Sequence, residues 1–345
     1  MQHGGGMEKL TIDKIAKLAL VSRSVVSRVL NNHPNVSEQA RARVLNVVEE
    51  YNYTPNPVAR SLATQHTRQI GVLTSRFKDE NLDNGYWSQL YLGVFEECIR
   101  RGYYVRLSFY DSSMNDNLRR HLLNEHQLDG LICLNEEVTD LAAEHFAHKE
   151  RSVVIVGHNP RYTTISSVDV DNQAGAHKGV SHLTGLGHRV IGGIFGNHNV
   201  QETEQRISGY KKALRQAGIE FDERLVHVGS YSQEEGYKMV NEWLGSVPDM
   251  TALFCAGDTI AMGALLALKE NNISVPERFS VVGFDGLPIS KYLIPPLTTV
   301  AQPIYGKGEK AAALLIDQLQ KKETRTLHVD LSPELIIRNT TAHAP

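Results

Sequence analysis

Arg23, Ser24, Ser27 and Arg28 lie in the run SRSVVSRVL, where they alternate with Val25, Val26 and Val29 at helical spacing. Ser22 is placed to cap the start of that helix, so the valines turn inward and the two arginines and two hydroxyls turn outward. Such a face suits the major groove of DNA. An arginine can donate two hydrogen bonds to a guanine edge, and a hydroxyl can meet a base or a phosphate. The competing reading is a plain helical hairpin with a solvated charged face.

Two carboxylates much later in the chain end apolar runs: Asp258 follows TALFCAG and Asp285 follows FSVVGF. In a parallel sheet these are carboxyl-edge positions, where cleft ligands bind. Asp285 reads as a ligand acceptor ahead of a helix cap. Asp258 is evenly balanced, because it would equally stabilise the start of the helix TIAMGALLAL. Together they could be the acid and base of glycoside hydrolysis, but nothing nearby supplies the remaining machinery. The glycines of GLGHRV precede their strand, whereas a phosphate cradle needs them after it. There is no GxSxG, no Walker loop and no Cys/His nucleophile pair, so the chain reads as a binder and not an enzyme.

The elements that must position these groups are of two kinds. Ile12, Ile15, Ala16 and Ala19 recur at helical intervals with Asp13, Lys14 and Lys17 between them. They predict a short helix before the one starting at Ser22, which makes a helix-turn-helix. Ser37 then caps a third helix over Ala40, Val44, Leu45 and Val48, ending near Tyr51 to Tyr53. The prolines of TPNP stop it, and Val58 to Ala63 resumes a helix too short to stand alone. From Ile70 short apolar runs alternate with amphipathic stretches: IGVL, YLGVFEECIRRG, YYVRLSF, LRRHLLNEHQ, LDGLICL, VVIVGH. The pattern restarts with HKGVSHLTGLGH, RVIGGIFG, ISGYKKALRQAG, TALFCAG, TIAMGALLALKENN and FSVVGFD. Strand and helix in alternation predict parallel sheets covered on both faces, here as two lobes with a cleft between their strand ends.

At 345 residues the chain has room for two or three domains. Its net charge of −3 is unevenly spread: residues 1–67 hold eight Lys/Arg against five Asp/Glu. The basic excess falls where the DNA-facing helix falls. Cys98, Cys133 and Cys255 sit in apolar stretches without CxxC spacing and read as buried thiols of a reducing cytoplasm. Histidine pairs such as His145/His148 and His177/His182 lack a completing ligand, so no metal is expected. No apolar run approaches a membrane span, and no secretory signal opens the chain. Residues 1–9 read as a disordered or cloning-derived start.

Four segments in order, VSRSVVSRVLN, YNYTPNPVARSLA, SVVGFDG and YLIPPLTTVAQP, resemble the lactose-repressor/galactose-repressor family of bacterial transcription regulators along essentially the whole chain. The resemblance implies an all-α helix-turn-helix headpiece (10–56), a hinge helix and linker (57–67), and an α/β core of two periplasmic-binding-protein-like lobes with parallel sheets (68–345). The N-lobe would take about 68–170 and 304–331, and the C-lobe about 171–299 and 332–345. It implies a homodimer on an inverted-repeat operator, with Arg23, Ser24 and Arg28 reading the major groove and Leu62 wedged into the minor groove. Thr11, Ser22, Ser27, Asn31, Tyr53, Asn56 and Ala59 complete the DNA-facing set. Leu20 stands where the family's turn carries glycine, from which a slightly reshaped turn is expected.

For the cleft, the resemblance places the Arg206 guanidinium and the Tyr231 ring against an effector. Tyr86 and Trp87 face it from the other lobe, His158 adds a polar contact, and Asp285 accepts from sugar hydroxyls. Trp87 could equally be core. Gly257 replaces a commonly found asparagine, which suggests fewer polar contacts or a bulkier ligand there. Rings with carboxylates and arginine at the rim describe a carbohydrate site needing no cofactor. Alternatives are a corepressor-dependent regulator responding to a nucleobase or phosphoprotein, and a ligand receptor without DNA function. No leucine heptad follows LSPELIIRNTT, so a dimer is expected and not a coiled-coil tetramer.

Overall fold

The computed structural model describes residues 10–30, 33–53, 66–75, 85–111, 113, 114, 117, 119, 127–146, 152–197, 200–321 and 325–345. They fall into two units, divided between Thr67 and Arg68.

The first unit contains three helices, each begun by a side-chain cap. Thr11 Oγ1 accepts from the Lys14 N–H at the start of α1 (Ile12–Leu18). Ser22 Oγ accepts from the Val25 N–H at the start of α2 (Arg23–Leu30). Ser37 Oγ accepts from the Ala40 N–H at the start of α3 (Glu38–Glu50). Ile15, Ala16 and Ala19 of the first segment, Val26 and Val29 of α2, and Val44 and Val47 of α3 form one buried cluster. Leu45, expected in that cluster, is 46% exposed. The buried face of α3 runs Ala40, Val44, Val47, and one residue's step turns Leu45 about 100° away from it. Leu20 has φ 52°. The turn therefore keeps the left-handed geometry that glycine adopts freely, and the expected reshaping does not occur.

The second unit holds two six-stranded sheets. One contains β1 (Gln69–Ser75), β2 (Tyr104–Tyr110), β3 (Gly130–Cys133), β4 (Ser152–Val156), β5 (Ser166–Val170) and β11 (His328–Leu331), in the order β11-β5-β4-β3-β1-β2 with parallel pairing throughout. The other contains β6 (Ile191–Phe195), β7 (Val226–Val228), β8 (Ala252–Cys255), β9 (Ser280–Asp285), β10 (Thr298–Ala301) and β12 (Glu334–Ile336). Its order is β12-β10-β9-β8-β6-β7, parallel except that β12 runs antiparallel to β10. The central strands β3, β8 and β9 are buried along their whole length, as expected of strands covered on both faces.

Helices α4 (Tyr86–Arg100), α5 (Glu136–Phe146) and α10 (Ile304–Lys321) serve the first sheet. Helices α6 (Asn172–Gly185), α7 (Gln201–Gln216), α8 (Gln233–Ser246) and α9 (Asp258–Glu270) serve the second. Periodicity predicts neither α5, α8 and α10 nor β5, β7, β10 and β11, whereas the helix expected at LRRHLLNEHQ lies largely outside the described residues. Helices α4 and α10 touch backbone to backbone. A methyl group at Gly93 would overlap the Tyr305 carbonyl, and one at Gly308 would overlap the Leu90 carbonyl. The chain passes between sheets three times: from β5 into α6, from β10 into α10, and from β11 into β12.

Candidate functional site

In the first unit, Ser22, Arg23, Ser24, Ser27 and Arg28 are all exposed, while Val26 and Val29 are buried beneath them. The Ser22 and Ser24 hydroxyls meet at 2.8 Å, which fixes the polar entry to α2. Arg23 Nε stands 3.7 Å from Asp13 Oδ1 with both side chains well exposed, a pairing weak enough in water to yield to another anion. Thr11 is exposed with its hydroxyl used as the α1 cap. Tyr53 packs against the headpiece core. Asn31, Asn56, Ala59 and Leu62 lie outside the described residues.

In the second unit a cavity opens at the carboxyl ends of strands from both sheets. Its volume is about 180 Å³. Tyr86, Trp87, His158, Arg206, Tyr231 and Asp285 all line it. Asp258 does not. Its carboxylate accepts from the Leu287 N–H at 2.7 Å and from the Thr299 hydroxyl at 2.5 Å, so it braces the loop after β9 from behind the wall. Burial, then the nearby Asp285, pushes its carboxyl well above the usual carboxylate range.

Arg206 projects from α7 and is 5% exposed. Its Nε donates to Asn172 Oδ1 at 2.9 Å, its Nη1 donates to the Ala256 carbonyl, and its guanidinium lies 3.9 Å from the centre of the Phe284 ring. It approaches Asp285 Oδ1 at 3.9 Å. Asp285 has φ 108° at the end of β9, and its Oδ1 accepts from Gln302 Nε2 at 2.7 Å. Burial raises its carboxyl to about 6, although Arg206, Gln302 and Lys307 pull the other way. The Tyr231 ring lies against Gly196, where any side chain would overlap it, and its hydroxyl meets Thr203 Oγ1 at 3.2 Å. A Cβ at Gly257 would stand 3.2 Å from the same ring. The room expected for a bulkier ligand at Gly257 is thus bounded by Tyr231.

On the opposite wall Tyr86 and Trp87 start α4 in an edge-to-face pair, ring centres 5.3 Å apart. Trp87 is both wall and core, being 8% exposed and part of the first sheet's apolar cluster. His158 is half-buried, with its ring 6.1 Å from that of His328.

The cavity also gathers groups that sequence reasoning missed: Asn135, Asn159, Glu202 and Lys307. Asn159 directly follows His158, and its Nδ2 is buried without an acceptor among the described residues. Lys307 lies in GKGEK, which by composition reads as a solvated charge run, yet it is 3% exposed and donates to Asp169 Oδ1 at 3.1 Å. Asp169 Oδ2 in turn lies 3.4 Å from the Nδ2 of Asn172, the residue that holds Arg206. Donors and acceptors thus face a small space with aromatic walls, an arrangement suited to reversible binding of a polar molecule. Among the described residues no group of three or more His, Cys, Asp or Glu could hold a metal, and no helix is long and apolar enough to cross a membrane.

Residues 11–56 match the family described as bacterial regulatory proteins, lacI family, and residues 180–341 match a periplasmic binding protein-like domain. The chain is 34% identical over 342 residues to the HTH-type transcriptional regulator MalR of Clostridium butyricum, covering 96% of this chain and 99% of that one. It is 31% identical over 335 residues to the HTH-type transcriptional repressor PurR of Mannheimia succiniciproducens, covering 96% and 98%. Among solved structures it resembles the lac repressor dimer bound to operator and the anti-inducer ONPF (TM-score 0.81, 27% identity, 97% of this chain and 100% of that one). It also resembles the transcriptional regulator CelR–cellobiose complex (TM-score 0.74, 29% identity, 96% and 99%).

Proposed function

Since the chain belongs to the lacI family of bacterial regulatory proteins, we propose that it is a cytoplasmic transcriptional repressor that binds a palindromic operator as a homodimer and is released by a small carbohydrate. Residues 10–56 dock on DNA through Arg23, Ser24, Ser27 and Arg28, and residues 57–67 form the hinge, with Leu62 as the minor-groove wedge. The lobes 68–170 with 304–331 and 171–299 with 332–345 close around the effector. Arg206 and Asp285 grip its hydroxyls while Tyr231, Tyr86 and Trp87 bound its faces. The chain acts as a receptor and not an enzyme: with Asp258 engaged behind the wall by Leu287 and Thr299, the two aspartates do not flank a common ligand as hydrolysis requires.

The observation that carries this reading is the joining, in one chain, of an exposed Arg/Ser helix face to a cavity where Arg206 and Asp285 stand 3.9 Å apart beside aromatic rings. The CelR structure in complex with cellobiose favours a sugar. For nearly complete switching the effector must prefer one lobe arrangement by about 10⁴-fold, or about 5.5 kcal/mol. The aromatic walls support a second reading, in which a nucleobase stacks on Tyr86 and Tyr231 and acts as corepressor in the same cavity. A thermal-shift panel of neutral saccharides, sugar phosphates and nucleobases separates the two, because a ligand at a hundred times its Kd adds about 2.7 kcal/mol. A sugar hit that also weakens operator binding supports release. A nucleobase hit that tightens operator binding overturns it.

A further inference from the structure

The resemblance assigns no role to the Lys307 ammonium, which lines the cavity. It lies on α10 with the side chain 3% exposed, paired to an Asp169 side chain that is 2% exposed. Taking two charges out of water costs several kcal/mol per ion, and an apolar pair of similar volume would often hold the fold as well. Packing alone therefore does not explain a lysine here. An ammonium has three donors. Asp169 Oδ1 takes one at 3.1 Å, and the Tyr86 ring lies beside it with its centre 5.8 Å from Nζ. Lys307 also lines the cavity, where its remaining donors can meet a ligand.

Asn159 adds a second donor on the same wall, its buried Nδ2 without an acceptor among the described residues. Across the cavity stand the acceptors Asp285 and Glu202. Each cation already has a carboxylate: Lys307 has Asp169, and Arg206 has Asp285 at 3.9 Å. Glu202 is a further acid on the wall. A ligand carrying phosphate or carboxylate would bring its charge beside Asp285 and Glu202 with both cations committed. A ligand rich in hydroxyls gives and receives hydrogen bonds on both walls without that repulsion.

Resting on the effector reading above, we propose that Lys307 is a specificity-determining residue of this cavity: held by Asp169, it donates a hydrogen bond to an acceptor oxygen of an uncharged polyhydroxy effector, and the paired charges around it exclude phosphorylated and acidic sugars. The test uses the full chain and isothermal titration against neutral mono- and disaccharides including ribose, maltose and cellobiose, each beside its phosphate. A neutral sugar binds the wild type at least tenfold more tightly than its phosphate does, and Lys307→Met weakens that sugar at least tenfold. The double variant Asp169→Asn with Lys307→Met removes both charges. It melts close to the wild type yet remains as weak for the sugar as the single variant, which separates recognition from folding. Equal or tighter binding of the phosphate, or wild-type sugar affinity in the double variant, overturns the inference alone. Silence across the whole panel overturns the effector reading and this inference with it.

Discussion

Leu20→Gly should stabilise the helix-turn-helix. A branched residue in the left-handed region costs about 1–2 kcal/mol, and Leu20 holds φ 52°. Its side chain is 79% exposed, so its removal forfeits little apolar burial. Glycine in turn gives the unfolded chain more freedom, a loss of about 0.5–1 kcal/mol. The balance is a gain of about 0–1.5 kcal/mol, about 0.75 at the middle of both ranges. In a domain of this size that middle value raises the midpoint by roughly 3–6 °C. The assay is thermal unfolding of the full chain followed by far-ultraviolet circular dichroism, taking the transition of the helical headpiece. Leu20→Ala is the control: it shortens the side chain but keeps Cβ, so it should change the midpoint by no more than about 0.5 kcal/mol equivalent. A glycine variant less stable than wild type, or an alanine variant that gains as much as glycine, would refute the assignment of strain to the Cβ at this φ.

Arg28→Ala should weaken operator binding by about 1–3 kcal/mol if the side chain reads a base, with the melting of the chain unchanged because Arg28 is exposed; fluorescence anisotropy against the operator and a scrambled duplex measures the loss of discrimination. Gly308→Ala should destabilise the core by about 1–3 kcal/mol, since its methyl group would overlap the Leu90 carbonyl of the facing helix; urea denaturation followed by Trp fluorescence reads it. Asp285, raised to about 6 by burial, keeps a proton in the folded chain that the unfolded chain releases near pH 4. Its contribution to core stability is therefore full below that lower value and lost as the pH rises through about 6. Urea midpoints at pH 4.5 and 6.5 should fall more steeply with pH in the wild type than in Asp285→Asn, and equal slopes would remove Asp285 from the titration.

The headpiece is largely legible because its stabilising contacts are local. Thr11, Ser22 and Ser37 each cap a helix three residues ahead, and the valine spacing decides which face of α2 is exposed. Leu45 escapes because it borders the true face of α3 and periodicity there tolerates a shift of one residue. The central strands are legible as unbroken apolar runs. β5, in contrast, reads SSVDV, yet every one of its residues is buried. Its polar side chains find partners far away in sequence: Ser166 accepts from Gln318 Nε2, Ser167 meets His328 Nδ1, and Asp169 holds Lys307. Asp285 and Arg206 are legible from strand ends and resemblance. Lys307 and Asn159 are not, because a buried donor differs from a solvated one only through the tertiary surroundings that desolvate it.

Gln302 and Lys307 stand five positions apart on one stretch of chain, yet Gln302 holds Asp285 at the end of β9 whereas Lys307 holds Asp169 at the end of β5. Helix α10 begins between them, at Ile304. One residue inserted or deleted after Ile304 would swing Lys307 by about 100° around the helix axis and move it by about 1.5 Å along it, aiming the ammonium away from Asp169 while leaving Gln302 in place. The two grips are thus phased by arithmetic along the backbone. Side chains on either wall can be exchanged with this phase intact, but a change of length between 304 and 307 breaks it at once.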